Sequence, residues 1–291
     1  MAEHIVPADA QGIAEGTSSA VTSDPWTDWR SATPARLALG RAGAGMPTDE
    51  TLRFGWAHAM ARDAIHAALD VGRLEAALRA DGWDVERVRS RAADRTTYLR
   101  RPDLGRQLDA EDAARLRDAV AQRTDGRRCD VCIVVGDGLS SLAVERNAVP
   151  LLAALRPHLP PGTRFAPIAV ASQARVALAD EVAEIHGAAL SVMLIGERPG
   201  LSSPDSLGIY LTHAPRRGRN DAERNCISNV RPAGLAYDTA AFKLAWLMRE
   251  ALRLGATGIA LKDESDLAVL ESGKRDSGVL VRASSAPAPR A

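Results

Sequence analysis

Lysine is nearly missing from this chain. It has three, Lys243, Lys262 and Lys274, so arginine carries almost all of the positive charge. An excess of either charge is missing too, because Lys+Arg and Asp+Glu are both 37. A general nucleic-acid binder needs a phosphate-neutralising excess of positive charge, and so does a polybasic membrane-surface protein. Neither class fits. Cysteine is scarce: three in 291 residues make no disulfide framework, so a reducing, cytosolic compartment is expected. No apolar run approaches the roughly twenty residues of a membrane span. Met1 to Val21 lacks an apolar stretch behind a basic region and does not read as a secretory signal. What is present is a hydrophobic content of 46 %, enough to bury the core of one large domain or two smaller ones.

Residues 1–23 and 283–291 are small and polar and read as disordered tails. From Asp24 to about Ala80 the pattern is helical. Thr33-Pro34 reads as a helix cap followed by proline at the first helical position. Pro47-Thr-Asp-Glu50 opens another helix, with Leu52, Trp56, Ala59, Met60, Ala64 and Ala67 as its apolar face out to about Leu69. Arg73 to Leu78 is a short helix, and Trp83 to Arg89 alternates like a half-exposed strand. Arg91 to Asp109 has no clear period and reads as an ordered connection. These elements suggest a mainly helical domain with its connection over 24–109. An α/β domain with a parallel, Rossmann-like sheet is expected over 110–282.

In that second part helices are expected over 110–122, 139–155, 173–186 and 237–254. Strands are expected over 129–135, 165–171, 190–195 and 207–212, with a last short one at 258–261. Alternating strands and helices imply a parallel sheet with crossover helices. The loops after the strands then share one rim, where ligands bind. Gly136-Asp-Gly-Leu-Ser140, Ala171-Ser-Gln173 and Gly196-Glu-Arg-Pro-Gly200 should meet there.

Single motifs are weak. Gly136-Asp-Gly138-Leu-Ser-Ser141 resembles a dinucleotide fingerprint, but Ser141 stands where the third glycine belongs; a tight turn with Ser140 or Ser141 capping a helix explains it equally. Cys129-x-x-Cys132 invites a zinc or redox reading. Residues three apart on a strand point to opposite faces, and two small buried residues are the simpler account. The histidines form no ligand pair, and no G-x-S-x-G elbow supports a hydrolase. Gly196–Gly200 reads as a tight turn with a solvated Glu–Arg pair, and Asn225-Cys-Ile-Ser-Asn229 as a polar loop with one thiol.

The set is more specific than its members. Asp24-Pro-Trp-x-x-Trp29-Arg, Asp94-Arg95-x-x-Tyr98-Leu-x-Arg-Pro-Asp103-Leu-Gly-Arg106, Val135-Gly-Asp-Gly-Leu-Ser140, Gly196-Glu-Arg-Pro-Gly-Leu201 and Arg224-Asn-Cys-Ile-Ser-Asn229 occur in this order. So does Thr33-Pro-Ala-Arg-x-x-Leu-Gly-Arg41. Together they closely resemble the small subunit of ethanolamine ammonia-lyase, the adenosylcobalamin-dependent enzyme that makes acetaldehyde and ammonia by radical chemistry. The resemblance implies a non-catalytic chain that covers the cobalamin at an interface with a catalytic large subunit, a TIM barrel, in a hetero-oligomer. It implies cofactor contacts at Val176, Glu197 and Cys226: apolar packing, hydrogen-bond acceptance, and packing or a weak S–H bond. The nearest match to a cobalt-ligating Asp-x-His-x-x-Gly is Glu184-Ile-His186-Gly-Ala-Ala189. It departs at both ends, so the cofactor should keep its own base on cobalt. Location in a bacterial microcompartment would follow if the host makes one. Two other classes stay open, a stand-alone Rossmann-type nucleotide-binding enzyme and a non-enzymatic microcompartment scaffold. On all of these readings the chain binds neither nucleic acid nor membrane. The 24–80 region, with Trp26, Trp29 and Trp56, is expected to expose apolar surface that a partner covers.

Overall fold

The structure, a computed structural model, describes residues 20–122 and 128–266. Apart from residues 20–23, the expected tails lie outside the described residues. Contacts divide the chain into two compact units, Met1–His58 and Ala59–Ala291.

In the first unit a single 3-10 turn, Thr27–Ser31, precedes an extended stretch. Residues 33–40 are not helical, so Thr33-Pro34 opens no helix. Thr22 N–H donates instead to Arg41 O at 2.8 Å, and Arg41 returns a bond to Thr22, so local backbone pairing shapes this stretch. Glu50 is buried and accepts from Arg30 and Arg53, each at 2.7 Å. It opens α1, Thr48–His66, as the Pro47–Glu50 signal suggested. Of the apolar face expected on α1, Ala64 is buried, but the large side chains are not. Leu52, Trp56 and Met60 are exposed, whereas Ala57, Ala61 and Ala64 are buried. Trp26, Trp29, Met46 and Phe54 are exposed as well.

The second unit is mixed α/β. Helix α2, Val71–Ala80, starts at Asp70, whose side chain accepts from Arg73 N–H. Strands β1 (Val85–Arg89), β2 (Val131–Gly136), β3 (Ile168–Ser172), β4 (Leu190–Gly196), β5 (Leu207–His213) and β6 (Asn225–Val230) form one sheet. Its order is β1-β3-β2-β4-β5-β6. The first four strands are parallel; β5 is antiparallel to β4 and β6. The fully parallel expectation is thus corrected at β5. A short connection joins β4 to β5 with no crossover helix, and such a link can only reverse the chain. The expected polar loop at Asn225–Asn229 is strand β6. The expected strand at 258–261 is a 3-10 turn, Gly258–Ala260, entered at left-handed Gly258.

Arg91 to Asp109 is more than a connection. It holds α3 (Arg95–Arg100), capped by Asp94, and α4 (Pro102–Gly105), with Pro102 at its first turn. Helix α5, Ala110–Ala121, follows behind the Asp109 cap. Helix α6, Ser141–Leu155, begins at Ser140, whose hydroxyl accepts from Ala143 N–H at 3.2 Å. Helix α7 is Leu178–Ile185, five residues shorter at its start than expected, and α8 is Tyr237–Leu254.

Strand β2 is buried on both faces, which is why it reads as a continuous apolar run. Val131, Ile133 and Val135 join one core with α6 and α8. Cys132 and Val134 join the other with α5 and α7. Cys129 precedes the strand and packs in the same core as Cys132. The opposite-face argument therefore fails, because strand alternation does not extend to a residue outside the strand. Both cysteines are buried and outside any disulfide.

The connections leaving β2 and β3 run to opposite faces, α6 to the first core and α7 to the second. Chains that diverge in this way open a crevice beyond the strand ends.

Candidate functional site

The three expected loops meet at that crevice. Asp137, just after β2, clamps the β3–α7 loop: its carboxylate accepts from Gln173 N–H and Ala174 N–H, both at 2.9 Å. Leu139 N–H donates to Gly196 O at 2.9 Å, which ties the β2 loop to the end of β4. A Cβ on left-handed Gly138 would collide with Gly196 O, and one on Gly196 with Ser140 O. Gly138 and Gly196 thus let two loops pack backbone to backbone, while a Cβ on Gly136 would meet the Met193 and Ala174 side chains. The role of these glycines is packing, which removes the main argument for a dinucleotide fingerprint.

A cleft of about 390 Å³ opens at this rim. Val176 and Glu197 both line it, together with Tyr98, Arg175, Arg198 and Tyr210. Glu197 does not pair with Arg198. Its Oε2 accepts from the Ser206 hydroxyl and, at 3.3 Å, from Asn229 N–H. These bonds fix the carboxylate against the irregular start of the β5–β6 pairing, near Asn229, whose φ is +60°.

Cys226 does not line the cleft. It sits on β6 opposite Tyr210, which does. Ile227 and Val230 bury toward the first core, while Cys226 and Ser228 are exposed. The Cys226 Sγ lies 3.3 Å from Ser228 Oγ. Helix α8 packs on β5 and β6 in the first core, whereas α7 packs on β2 and β4 in the second. The Tyr210–Cys226 patch thus continues the cleft as open sheet. Burial, reinforced by the neighbouring thiol of Cys226, pushes the Tyr210 phenol well up, so it stays a neutral hydroxyl.

Sequence reasoning missed the cleft's floor. Tyr98 is fully buried and its hydroxyl donates to Ala174 O at 3.1 Å. Burial raises its pKa to about 12. The Arg175 and Arg95 guanidiniums lie over its ring, 4.4 and 4.8 Å from the centroid. Such stacking orients both cations. Arg175 N–H donates to Gly105 O at 2.8 Å, locking the loop onto α4. The Asp94 cap and Pro102 were readable as a helix start and a first-turn proline, and would have shown that this segment folds.

Three polar atoms at this rim are buried with no hydrogen-bond partner among the described residues: Arg175 Nε, Arg95 Nη2 and Gln173 Oε1. Buried polar groups are nearly always satisfied, so such a cluster points to something the chain itself does not supply. Asp137 is buried beside them. Burial pushes its pKa up, against the two backbone N–H bonds and Arg95, whose Nη1 is 3.6 Å away. Among the described residues no group of three His, Cys, Asp or Glu could hold a metal ion. No described helix is long and apolar enough to cross a membrane.

A comparable cavity of about 350 Å³ opens at the opposite end of the sheet, where β2 begins. Its lining, Val131, Pro160, Pro161, Met248 and Leu252 among others, is mostly apolar, and none of the unpartnered buried atoms belongs to it.

The profile of the ethanolamine ammonia-lyase light chain family matches residues 23–262. The ethanolamine ammonia-lyase small subunit of Azotobacter vinelandii is 56 % identical over 254 residues, covering 87 % of this chain and 93 % of that protein. The same subunit of Ralstonia nicotianae is 53 % identical over 263 residues, covering 90 % and 97 %. That of Bradyrhizobium diazoefficiens is 57 % identical over 248 residues, covering 84 % and 93 %. The match spans both compact units and the whole rim, and the chain belongs to the ethanolamine ammonia-lyase light chain family.

Proposed function

We propose that this chain acts as the small subunit of an adenosylcobalamin-dependent ethanolamine ammonia-lyase and holds the cofactor at the rim cleft, against a catalytic TIM-barrel large subunit. The observation that carries the reading is the convergence of Val176 and Glu197 on one cleft, beside the buried, unpartnered Arg175 Nε.

The residues present suit the group. Val176 is half-buried against the second core and offers an apolar wall. Glu197 is a fixed carboxylate acceptor and Arg175 Nε a desolvated donor; a large, amide-rich ligand needs both kinds of group. Cys226 would pack at the margin, on the open sheet beside Tyr210. When bound, the cofactor supplies a cobalt–carbon bond whose homolysis begins the radical deamination of ethanolamine. The chain's own work is to bind, orient and exclude water, and no nucleophile–base pair stands at the cleft.

His186 supports retention of the cofactor's own base. It is buried at the end of α7, with Nε2 2.6 Å from Glu86 Oε1 near the start of β1. That is the end of the sheet away from the cleft, so His186 does not serve as a ligand there.

The large apolar side chains exposed between residues 20 and 60 fit a covered surface in an assembly. They include all three of the tryptophans expected to face a partner. Location in the cytoplasm, or in a microcompartment where the host makes one, belongs to the same proposal.

Co-expression with the large subunit tests the reading. Ethanolamine deamination is expected to need both chains and adenosylcobalamin. Full activity from the large subunit alone would make this chain a stabiliser. Tight nucleotide binding by the isolated chain would revive the Rossmann-type nucleotide-binding class.

A further inference from the structure

Gly138 lines the cleft, and its neighbour Asp137 lines a second, smaller cavity of about 210 Å³. Arg95, Ser172 and Gln173 also line that cavity. Arg95 is held in place by two bonds, Nε donating to Ile65 O at 2.7 Å and Nη1 to Gly138 O at 2.8 Å. Its Nη2 is buried without a partner among the described residues, and so is Gln173 Oε1. Gln173 stands in the left-handed region, at φ +55°, where a residue with a Cβ is strained. The clamp from Asp137 to its N–H holds it there.

Two residues that line this cavity thus carry a buried donor and a buried acceptor without partners: Arg95, whose side chain is held by its two bonds, and Gln173, held through its backbone. The cavity's charges are already balanced, since the Arg95 guanidinium lies 3.6 Å from the Asp137 carboxylate. An ionic guest would bring an uncompensated charge into a partly buried site. The complementary guest is small and neutral, with an acceptor and a donor on adjacent atoms.

We propose that the cavity is a subsite for a primary carboxamide, whose carbonyl accepts from Arg95 Nη2 while its amino group donates to Gln173 Oε1. The inference rests on the cofactor reading of the neighbouring cleft. The corrin rim carries primary acetamide and propionamide side chains, and the Gly138 carbonyl that Arg95 holds belongs to the turn shared by the two cavities. A free small amide has the same chemistry and is the other source.

The test uses the complex of the two subunits. Gln173→Met keeps the side chain's length and removes its oxygen; the Gln173 side chain makes no bond to a described residue, so the fold is expected to persist, with an unchanged melting temperature. Gln173→Asn, a residue more at ease at positive φ, is a second variant in which the amide is withdrawn by one carbon. Cobalamin affinity is read by absorbance titration, and acetamide binding by ligand-observed NMR. Both variants are expected to weaken cobalamin binding about fivefold, the loss of one hydrogen bond. One of the cobalamin monocarboxylates, with a single peripheral amide hydrolysed, should bind the wild-type complex more weakly than cobalamin and lose that difference in Gln173→Met. Saturable acetamide binding that Gln173→Met abolishes, with cobalamin affinity unchanged, would assign the subsite to a free amide. Unchanged cobalamin affinity without acetamide binding would mean that the cavity holds water only, and would overturn the proposal. Glu197→Ala separates this failure from a failure of the cleft: if it weakens cobalamin binding while the Gln173 variants do not, the cleft reading stands and only the subsite falls.

Discussion

The two ends of one sheet teach different things about what marks a site. Their cavities are close in size, about 390 Å³ at the rim and about 350 Å³ where β2 begins. The cavity at the strand starts is walled by prolines and aliphatic side chains. Of the charged residues that line it, Asp130 accepts from Arg164 at 2.8 Å, a bond that holds the Asp130 carboxyl below its ordinary pKa. At the rim, polar atoms are buried and left over. Volume does not separate the two ends; unpaired polarity does. Other buried polar groups make several bonds within the fold. Asn147 makes three bonds, to Ala143 O, Asp205 O and the Tyr237 hydroxyl. Arg224, adjacent to β6, pairs with buried Asp180 at 2.7 Å and donates to Thr212. Two buried atoms away from the cleft, Asp180 Oδ2 and His186 Nδ1, also lack a hydrogen-bond partner among the described residues, so it is the gathering of three such atoms at one place that marks the rim.

The comparison can be broken most severely at Gly138. Gly138→Ala forces a side chain into a left-handed residue against the Gly196 carbonyl. It should cost about 3 kcal/mol or more of stability by urea unfolding. A cost under about 1 kcal/mol would mean that the loops can separate freely. Changing Leu252, which lines the apolar cavity and is exposed, should do far less. Leu252→Ser is expected to shift stability by under about 0.5 kcal/mol and to leave cobalamin affinity alone. A weakened affinity would move the site to the wrong end of the sheet.

The smallest effect concerns Asp137. Its folded pKa is raised above the unfolded value by burial. A raised carboxyl contributes stability that is complete below its unfolded pKa and is lost as pH rises through the folded one. Asp137→Asn does not titrate. The stability of wild type relative to this variant should therefore decline from pH 4 to pH 7 in urea titrations. A flat or rising difference would show that the two N–H bonds and Arg95 outweigh desolvation.

Much of the rim was legible in the sequence, and for a physical reason. Short apolar runs alternating with helical patterns fix where the strands stop, so the loops at 136–140, 171–173 and 196–200 could be set on one edge without coordinates; only the first has both a closing glycine and a capped helix, Gly136 and Ser140. Strand β6 was not legible. Its outer face is open, so Cys226, Ser228 and Asn229 read as polar loop, and only Ile227 and Val230 carry its burial. The antiparallel turn of β5 was hidden because periodicity does not encode strand direction. Helix α1 misled differently. Its large apolar residues are spaced like a core face, yet alanines occupy the buried stripe. That pattern fits the partner-covered face proposed above. Arg95 stood in the Asp94–Arg106 motif without a role, and Arg175 among many arginines, until stacking on Tyr98 singled them out.

The central claim, that the rim cleft holds the cofactor, is tested most directly by titrating adenosylcobalamin into the two-subunit complex carrying Glu197→Ala. Loss of one charge-assisted acceptor should raise the cofactor's Kd about tenfold, with the subunits still associated. An unchanged Kd in a correctly assembled complex would contradict the account.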